Sequence, residues 1–219
     1  MTQPLEQLHA RDMTLADVDQ VVALHQAAFP DYFMTGLGRG MLRQFYRQAV
    51  TDPSTFAAIL EQTAGGRIIG LAVSTYNPAF HTKLMRRHLP PLICSLIRGV
   101  FTSKAIRQGL WNRLSFIKRF FRAQPDQGLA KAGIPPANGP EARFLDVAIH
   151  PDCRGGGNAE HLVQYITERV FQKDVARLGG SVFPENYGCL IMWKRLGWKV
   201  QKTAPRRVDV WIDREDRRK

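Results

Sequence analysis

Six consecutive residues, Arg154-Gly155-Gly156-Gly157-Asn158-Ala159, hold the densest chemistry in this chain. They follow an apolar run from Ala142 to Ile149 and lead into a helical pattern from Asn158 to Phe171. Three glycines in a row let backbone amides come close to a ligand. The helix that follows aims its N-terminal amides and positive dipole end at the same place, which suits a diphosphate. Arg154 adds a fixed cation. The turn is not a Walker loop, since no Gly-Lys-Ser/Thr follows, and it is not GxGxxG. Such a turn also serves purely structural ends, so its meaning depends on what lies downstream.

Downstream stands a second spaced set, Asn186-x-x-Cys189-x-x-x-Trp193-x-x-x-Gly197-Trp198. Taken in order, the two sets resemble the GNAT superfamily of acetyl-CoA-dependent N-acetyltransferases. Arg154, Gly157 and Ala159 match that family's Arg/Gln-x-x-Gly-x-Gly/Ala turn. Val147-Ala148-Ile149-His150-Pro151 resembles its apolar strand ending in proline. The downstream set keeps the spacing of the family's Asn-x-x-Ala-x-x-x-Tyr-x-x-x-Gly-Phe. The likeness is good over 142–200 and loose before it. It implies acetyl-CoA as acyl donor, lying in a V-shaped opening between the strand at 142–149 and a strand at 181–183. Backbone amides of Arg154, Gly155, Gly156, Gly157, Asn158 and Ala159 would hold the pyrophosphate. Val147, Ala148 and Ile149 would pair with the pantetheine, Asn186 would position the cofactor, and Trp193 would line the thiol pocket. The implied reaction is direct attack of an amine on the thioester in a ternary complex, with an amide near Val147 to Ile149 steadying the oxyanion.

Two positions depart from the family. Trp193 stands where many relatives carry a tyrosine that protonates the leaving thiolate, and an indole N–H is a much poorer acid than a phenol. Ser181 stands near the place of a general-base glutamate. Acid and base must therefore come from elsewhere, from water, or from nowhere, and the replacement candidates are Glu185, Tyr187, Asp146, Glu141 and His150. Each also has an ordinary reading, as a solvated loop charge, a helix or turn residue, or a strand-edge polar group.

The N-terminal half carries His25-x-x-x-Phe29-Pro30-x-x-Phe33-x-Thr35-x-Leu37-Gly38, with Leu42 and Tyr46 after it. This looks like a GNAT subgroup found among sugar and surface-polysaccharide biosynthesis genes. That likeness makes Phe33, Thr35 and Tyr46, with Arg143, candidate substrate contacts. Core packing accounts for the aromatics equally well.

The elements that position these residues follow from periodicity and punctuation. Leu8 to Met13 reads as a strand, and Thr14-Leu-Ala-Asp17 has the form of a capping box with Asp in place of Glu. A helix follows, with apolar positions at Val18, Val21, Val22, Leu24 and Ala28, and it stops near Pro30. Gly36 to Gly38 reads as loop and Met41 to Val50 as a helix. Phe56 to Glu61 and Arg67 to Tyr76 read as a hairpin. After the strand at 142–149 and the helix at 158–171 come a short strand at Ser181 to Phe183 and a helix from Tyr187 to Leu196. One or two strands close the chain between Lys199 and Ile212, and the tail from Arg214 reads as frayed. The class is α/β, a mixed and mostly antiparallel sheet flanked by helices, in a single domain over 1–219.

Charge sets one segment apart. The chain has 31 basic and 19 acidic residues, a net +12, yet residues 62–125 carry eleven basic residues and no acidic one. The surplus falls on an amphipathic helical pattern after Pro90-Pro91, read as a basic helical insertion over 80–140 with a Pro/Gly-rich return loop. Residues 83–122 would face an anionic membrane surface or an acidic carrier protein, unless the basic face is simply solvated. Nucleic acid is not expected, because no recognition motif accompanies the charge.

At 219 residues with 44% hydrophobic content, the chain can bury a full core and wholesale disorder is excluded. No apolar run reaches the roughly 20 residues of a membrane-spanning helix, and no apolar signal core opens the chain, so a cytoplasmic, at most peripheral, location is expected. Cys94, Cys153 and Cys189 make no disulfide framework, and the six histidines show no zinc spacing, so no metal is expected. The reading is an N-acetyltransferase acting on a primary amine of a small molecule, an amino sugar in the first instance, nucleotide- or lipid-linked, with a homodimer as one assembly. Two alternatives stand beside it: a long-chain acyltransferase fed by acyl carrier protein, and a non-catalytic CoA-binding sensor or scaffold.

Overall fold

The computed structural model describes residues 8–87 and 134–218. The helices expected after Pro90-Pro91 lie outside the described residues; a helix at Phe80–Arg87 precedes them.

One sheet of seven strands runs through the molecule. Its strands are β1 (Leu8–Asp12), β2 (Thr55–Gln62), β3 (Ile68–Thr75), β4 (Glu141–Ile149), β5 (Arg177–Val182), β6 (Lys199–Ala204) and β7 (Arg207–Asp213). They lie in the order β1-β2-β3-β4-β5-β7-β6. Every neighbouring pair is antiparallel except β4 with β5. The helices are α1 (Val18–Ala28), α2 (Phe33–Gly36), α3 (Arg39–Thr51), α4 (Phe80–Arg87), α5 (Asn158–Phe171) and α6 (Tyr187–Arg195). Helices α1, α3 and α4 cover one face of the sheet, burying Val21, Val22, Leu42, Tyr46, Phe80 and Leu84 against Ile59, Leu71 and Val73. Helices α5 and α6 cover the other, with Leu162, Ile166, Met192 and Trp193 against Leu60, Ile69 and Leu178. Strand β3 is buried at all eight positions, as a central strand covered on both faces must be. Gly70 packs beneath Leu162 of α5. A Cβ there would meet Ile149 Cδ1 at 2.7 Å and Leu162 Cδ2 at 3.2 Å.

Most expected elements are present, with four corrections. Strand β5 starts at Arg177, four residues before the expected Ser181, because pairing with β4 and β7 overrides the low strand propensity of Gly179-Gly180. Gly36 closes the short helix α2 instead of lying in a loop; Thr35 Oγ1 ties that turn to Phe29 O at 2.6 Å. Helix α3 begins at Arg39, with Gly38 at φ 88° before it. The tail is not frayed: Arg214–Arg218 forms a 3-10 turn, and Arg214 reaches the carbonyls of Phe171 and Lys173, past the C-terminal end of α5. A guanidinium at a helix C-terminus meets carbonyls that have no intrahelical donor.

The expected N-terminal cap is present in a modified form. Thr14 N and Thr14 Oγ1 both donate to Asp17 Oδ2 at 2.7 Å. Arg11 adds a two-pronged ion pair to the same carboxylate, at 2.8 and 2.9 Å. Those contacts hold the Asp17 carboxyl down at about 2, the Arg11 hydrogen bonds first among them.

Candidate functional site

Strands β4 and β5 pair over only three residues, Glu141 to Arg143 against Arg177 to Gly179. Beyond that point β4 keeps its partner β3 as far as Ile149, and β5 keeps β7 as far as Val182. The two strands therefore splay apart. From Phe144 onward, β4 presents a backbone edge that no described strand covers. Its donors and acceptors await a partner, since backbone polar groups are obligatory hydrogen-bonding groups.

The splayed gap opens onto the glycine turn. Gly155, Gly156 and Gly157 have φ of 87°, 62° and 83°, the left-handed region that only glycine enters freely. Their amides have no acceptor among the described residues. Consecutive amides in this conformation form an anion-binding concavity, and the 14-residue helix α5 begins directly after it. Asn158 fastens the turn from within, its side-chain amide donating to Cys153 O at 2.7 Å. Arg154 is exposed and reaches Ile149 O and Ala28 O, at 3.4 and 3.2 Å. No carboxylate pairs with it among the described residues, so its charge is uncompensated. Open amides, a helix start and a free cation at the end of a splayed strand fit a diphosphate.

The other wall of the gap is α6. Asn186 is its N-cap, accepting from Cys189 N at 3.3 Å. Trp193 is only 3% exposed. It packs against Trp198 and Phe144, and its N–H donates to Cys189 Sγ at 3.1 Å. The indole is thus a core residue with its one donor spent.

Asp146 lies on the splayed part of β4, and the structure gives it unexpected company. The register against β3 slips there: Val73 pairs with Asp146 and Ser74 with Phe144, leaving Leu145 as the extra residue of a bulge. The bulge turns Leu145 and Asp146 toward the same face, that of α1 and α3. Tyr46 donates to Asp146 Oδ2 at 2.5 Å, and His25 Nδ1 lies 2.9 Å from the same oxygen and 2.6 Å from Tyr46 Oη. Burial pushes the Tyr46 phenol well up, and the adjacent Asp146 charge adds to that. Tyr46, an expected substrate contact, is fully buried and lies beneath the site.

The remaining candidates are dispersed. Glu141 pairs with the buried Arg177 at 3.4 Å, at the closed end of the gap. Arg143 bridges Ser181 Oγ and Asp209 Oδ1, both at 3.0 Å. Burial works against the Asp209 charge, yet hydrogen bonds from Arg207, Thr203 and Ser181 keep its carboxyl below the usual range. Glu185 and Tyr187 are exposed, Tyr187 at 72%. His150 Nδ1 accepts from Asp152 N in its own turn. Thr35 is engaged with the backbone of the turn it closes, and Phe33 lies half-buried at the start of α2.

Two residues escaped the sequence reading as site groups. His25 was visible only as the first letter of a motif. Tyr32 was a spacer within it. Tyr32 stacks on Phe29 at 4.7 Å and meets Phe183 edge-on at 6.4 Å, so it bridges from the α1–α2 connection to the β5–α6 connection. Partial burial, with Asp146 and Cys189 nearby, raises its phenol above the ordinary value. Nothing local distinguishes Tyr32 in sequence; only the folded chain sets it across the gap.

Among the described residues there is no cluster of three metal-ligating side chains, and no helix is long and apolar enough to cross a membrane. Residues 120–198 match the acetyltransferase (GNAT) family. Solved structures share the fold at low identity. A protein named SsHAT is 16% identical with a TM-score of 0.64, covering 94% of this chain and 98% of that one. A dodecameric spermidine N-acetyltransferase from Vibrio cholerae is 13% identical, TM-score 0.56, covering 97% and 96%. The ribosomal-protein-S18-alanine N-acetyltransferase from Escherichia coli is 11% identical, TM-score 0.51, covering 93% and 90%. No curated protein matches significantly in sequence.

Proposed function

From a chain that matches the GNAT family over 120–198 and has the GNAT fold, we propose an N-acetyltransferase that carries acetyl from acetyl-CoA to a primary amine of a small molecule. The observation that carries this reading is the splay of β4 from β5, ending at three open glycine amides. Amides of Gly155, Gly156 and Gly157, with the start of α5 at Asn158 and Ala159, would hold the diphosphate, and Arg154 would add charge. The edge at Val147, Ala148 and Ile149 would take the pantetheine, with Asn186 on the facing wall. Trp193 would shape the thiol end from beneath by packing.

The donor thioester supplies an activated acetyl carbon, which bonds to the amine nitrogen as its C–S bond breaks. Asp146 Oδ1 takes a proton from the acceptor's ammonium, freeing the lone pair, and passes it to solvent. A phenol at Tyr32, held protonated, stands across the gap as the proton donor that Trp193 cannot be. The second nitrogen-bound proton is lost as the amide forms and reprotonates Tyr32, so acid and base are both restored. Much of the acceleration would come from holding both partners in line.

An amino sugar, nucleotide- or lipid-linked, is the acceptor class this reading favours. Its support is the motif from His25 to Tyr46 and the eleven basic residues of 62–125, a stretch with no acidic residue, which would attract a phosphorylated acceptor. We place the inserted segment 80–140 as the element serving that purpose, with the protein in the cytoplasm or peripheral to a membrane. A multimer is supported by the dodecameric neighbour.

Calorimetric titration with acetyl-CoA and with CoA tests the seat, using Arg154→Ala and Gly157→Glu as controls. Micromolar binding lost in those variants is expected. A panel of amino sugars, their nucleotide-linked forms and spermidine, read by thiol release, then identifies the acceptor. Transfer from acyl carrier protein with none from acetyl-CoA would replace the donor, and binding with no transfer to any amine would leave a CoA sensor.

A further inference from the structure

Three side chains from three distant parts of the chain meet at one oxygen of Asp146, and the detail of that meeting is asymmetric. Oδ2 takes the Tyr46 hydroxyl at 2.5 Å and faces His25 Nδ1 at 2.9 Å. Oδ1 has no partner among the described residues. The Asp146 side chain is 10% exposed and that of His25 6%. An ionised carboxylate only accepts, so the groups facing Oδ2 must be donors. Tyr46 gives its O–H, and His25 gives an N–H from Nδ1. His25 Nε2 is fully buried and without a partner. A bare lone pair there fits an imidazole whose proton is on Nδ1. A proton on Nε2 would leave an N–H buried without acceptor and turn the Nδ1 lone pair toward a carboxylate. Either is costly in a site of low dielectric.

The surroundings leave few other influences on this carboxylate. From α1 it faces His25, from α3 Tyr46, and from the α1–α2 connection Tyr32, beyond which lies Cys189. No lysine or arginine pairs with it among the described residues. Its orientation is therefore set by two donors and by the bulge at Leu145.

We propose that His25 and Tyr46 are positioning residues that act through Asp146. Together they clamp Oδ2, with His25 held in its Nδ1–H tautomer, and so direct Oδ1 into the gap between β4 and β5. This rests on the acetyl-transfer reading, in which Oδ1 takes the proton of the acceptor ammonium. Neither residue touches substrate. Their contribution is to remove the rotation of a carboxylate about χ2, so that the base meets the amine in one geometry.

The experiment combines kinetics with a spectroscopic readout that needs no turnover. Nitrogen-15 spectra of the histidine side chains, with His25 assigned by His25→Asn, report which ring nitrogen carries the proton. The clamp predicts protonated Nδ1 and unprotonated Nε2 in the free protein, changed by Asp146→Asn. Tyr46→Phe and His25→Phe each remove one donor while keeping a ring in place. Each is expected to lower kcat by about 10- to 100-fold, with KM for both substrates changed by less than about twofold. His25→Asn restores an N–H near the Nδ1 position and is expected to recover part of kcat over His25→Phe.

Protonated Nε2, or unchanged kcat in both ring-conserving variants despite lowered melting temperatures, would overturn the proposal. No transfer by the native protein to any amine, with His25 still in the Nδ1–H form, would instead overturn the acetyl-transfer reading. The clamp would then be a device of the fold alone.

Discussion

Tyr46 donates a hydrogen bond to Asp146 across one hundred residues of sequence. It joins α3, in the half of the chain outside the family match, to β4 within it. The carboxylate sits where β4 has already parted from β5, so the bond reaches from the α1–α3 layer to the rim of the proposed donor site. If Asp146 is the base, Asp146→Asn removes the proton acceptor and leaves the backbone seat intact. A fall in kcat of about 100-fold or more is expected, with calorimetric affinity for acetyl-CoA unchanged. Unchanged turnover in this variant would assign the base elsewhere.

Tyr32 offers the complementary test. Tyr32→Phe keeps the ring contacts with Phe29 and Phe183 and removes only the hydroxyl. The expected result is a loss of about 10-fold or more in kcat, without loss of fold or donor binding. Because burial and nearby negative charge raise this phenol, it stays protonated throughout the neutral range. Any loss of rate from its ionisation should therefore appear only above the usual tyrosine range. A basic limb near neutrality that vanished in Tyr32→Phe would contradict that.

At the glycine turn, space and backbone make different demands. A Cβ at Gly157 meets nothing within 4 Å, but φ there is 83°. Gly157→Ala is expected to cost about 1 kcal/mol in backbone strain, read as a lower denaturation midpoint. Gly157→Glu should cost a similar amount of stability and additionally place a negative charge where a diphosphate would lie. Loss of acetyl-CoA binding in Gly157→Glu with binding retained in Gly157→Ala is the expected pattern.

Gly70 should behave oppositely, as a packing residue limited by space and not by backbone conformation. Its Cβ would collide with Ile149 and crowd Leu60 and Leu162, the contact between the sheet and α5. Gly70→Ala is expected to destabilise by about 1–3 kcal/mol through overpacking. A neutral result in chemical denaturation would show that α5 can shift.

Asp17 gives a prediction in pH. Its folded carboxyl is held at about 2, through Arg11 first and then Thr14. A carboxyl depressed on folding contributes stability that is complete above its unfolded value and is lost as pH falls through the folded one. Asp17→Asn is therefore expected to lower stability at neutral pH by about 2 kcal/mol. The difference should shrink as pH falls from the ordinary carboxylate range toward about 2. A difference independent of pH would mean the cap acts through shape alone.

Local chemistry was largely legible before folding. The glycine turn and the helix after it depend on nearest neighbours: only glycine enters positive φ freely, and the 158–171 pattern repeats with the period of a helix. The capping group Thr14–Asp17 is likewise contained within four residues. The start of β5 was not legible, because Gly179-Gly180 is a poor strand by itself and is held extended by β4 and β7. The order of the tail at Arg214 is hidden for the same reason, since its partners are carbonyls more than forty residues away. The clearest division falls at Asp146. Sequence put it on an apolar strand and raised it as one base among several. A one-residue slip against β3, and side chains from α1 and α3, then decided which way it faces and what holds it. Spacing along a chain sets which residues share a local turn or face, whereas register and long-range donors exist only once distant segments have packed.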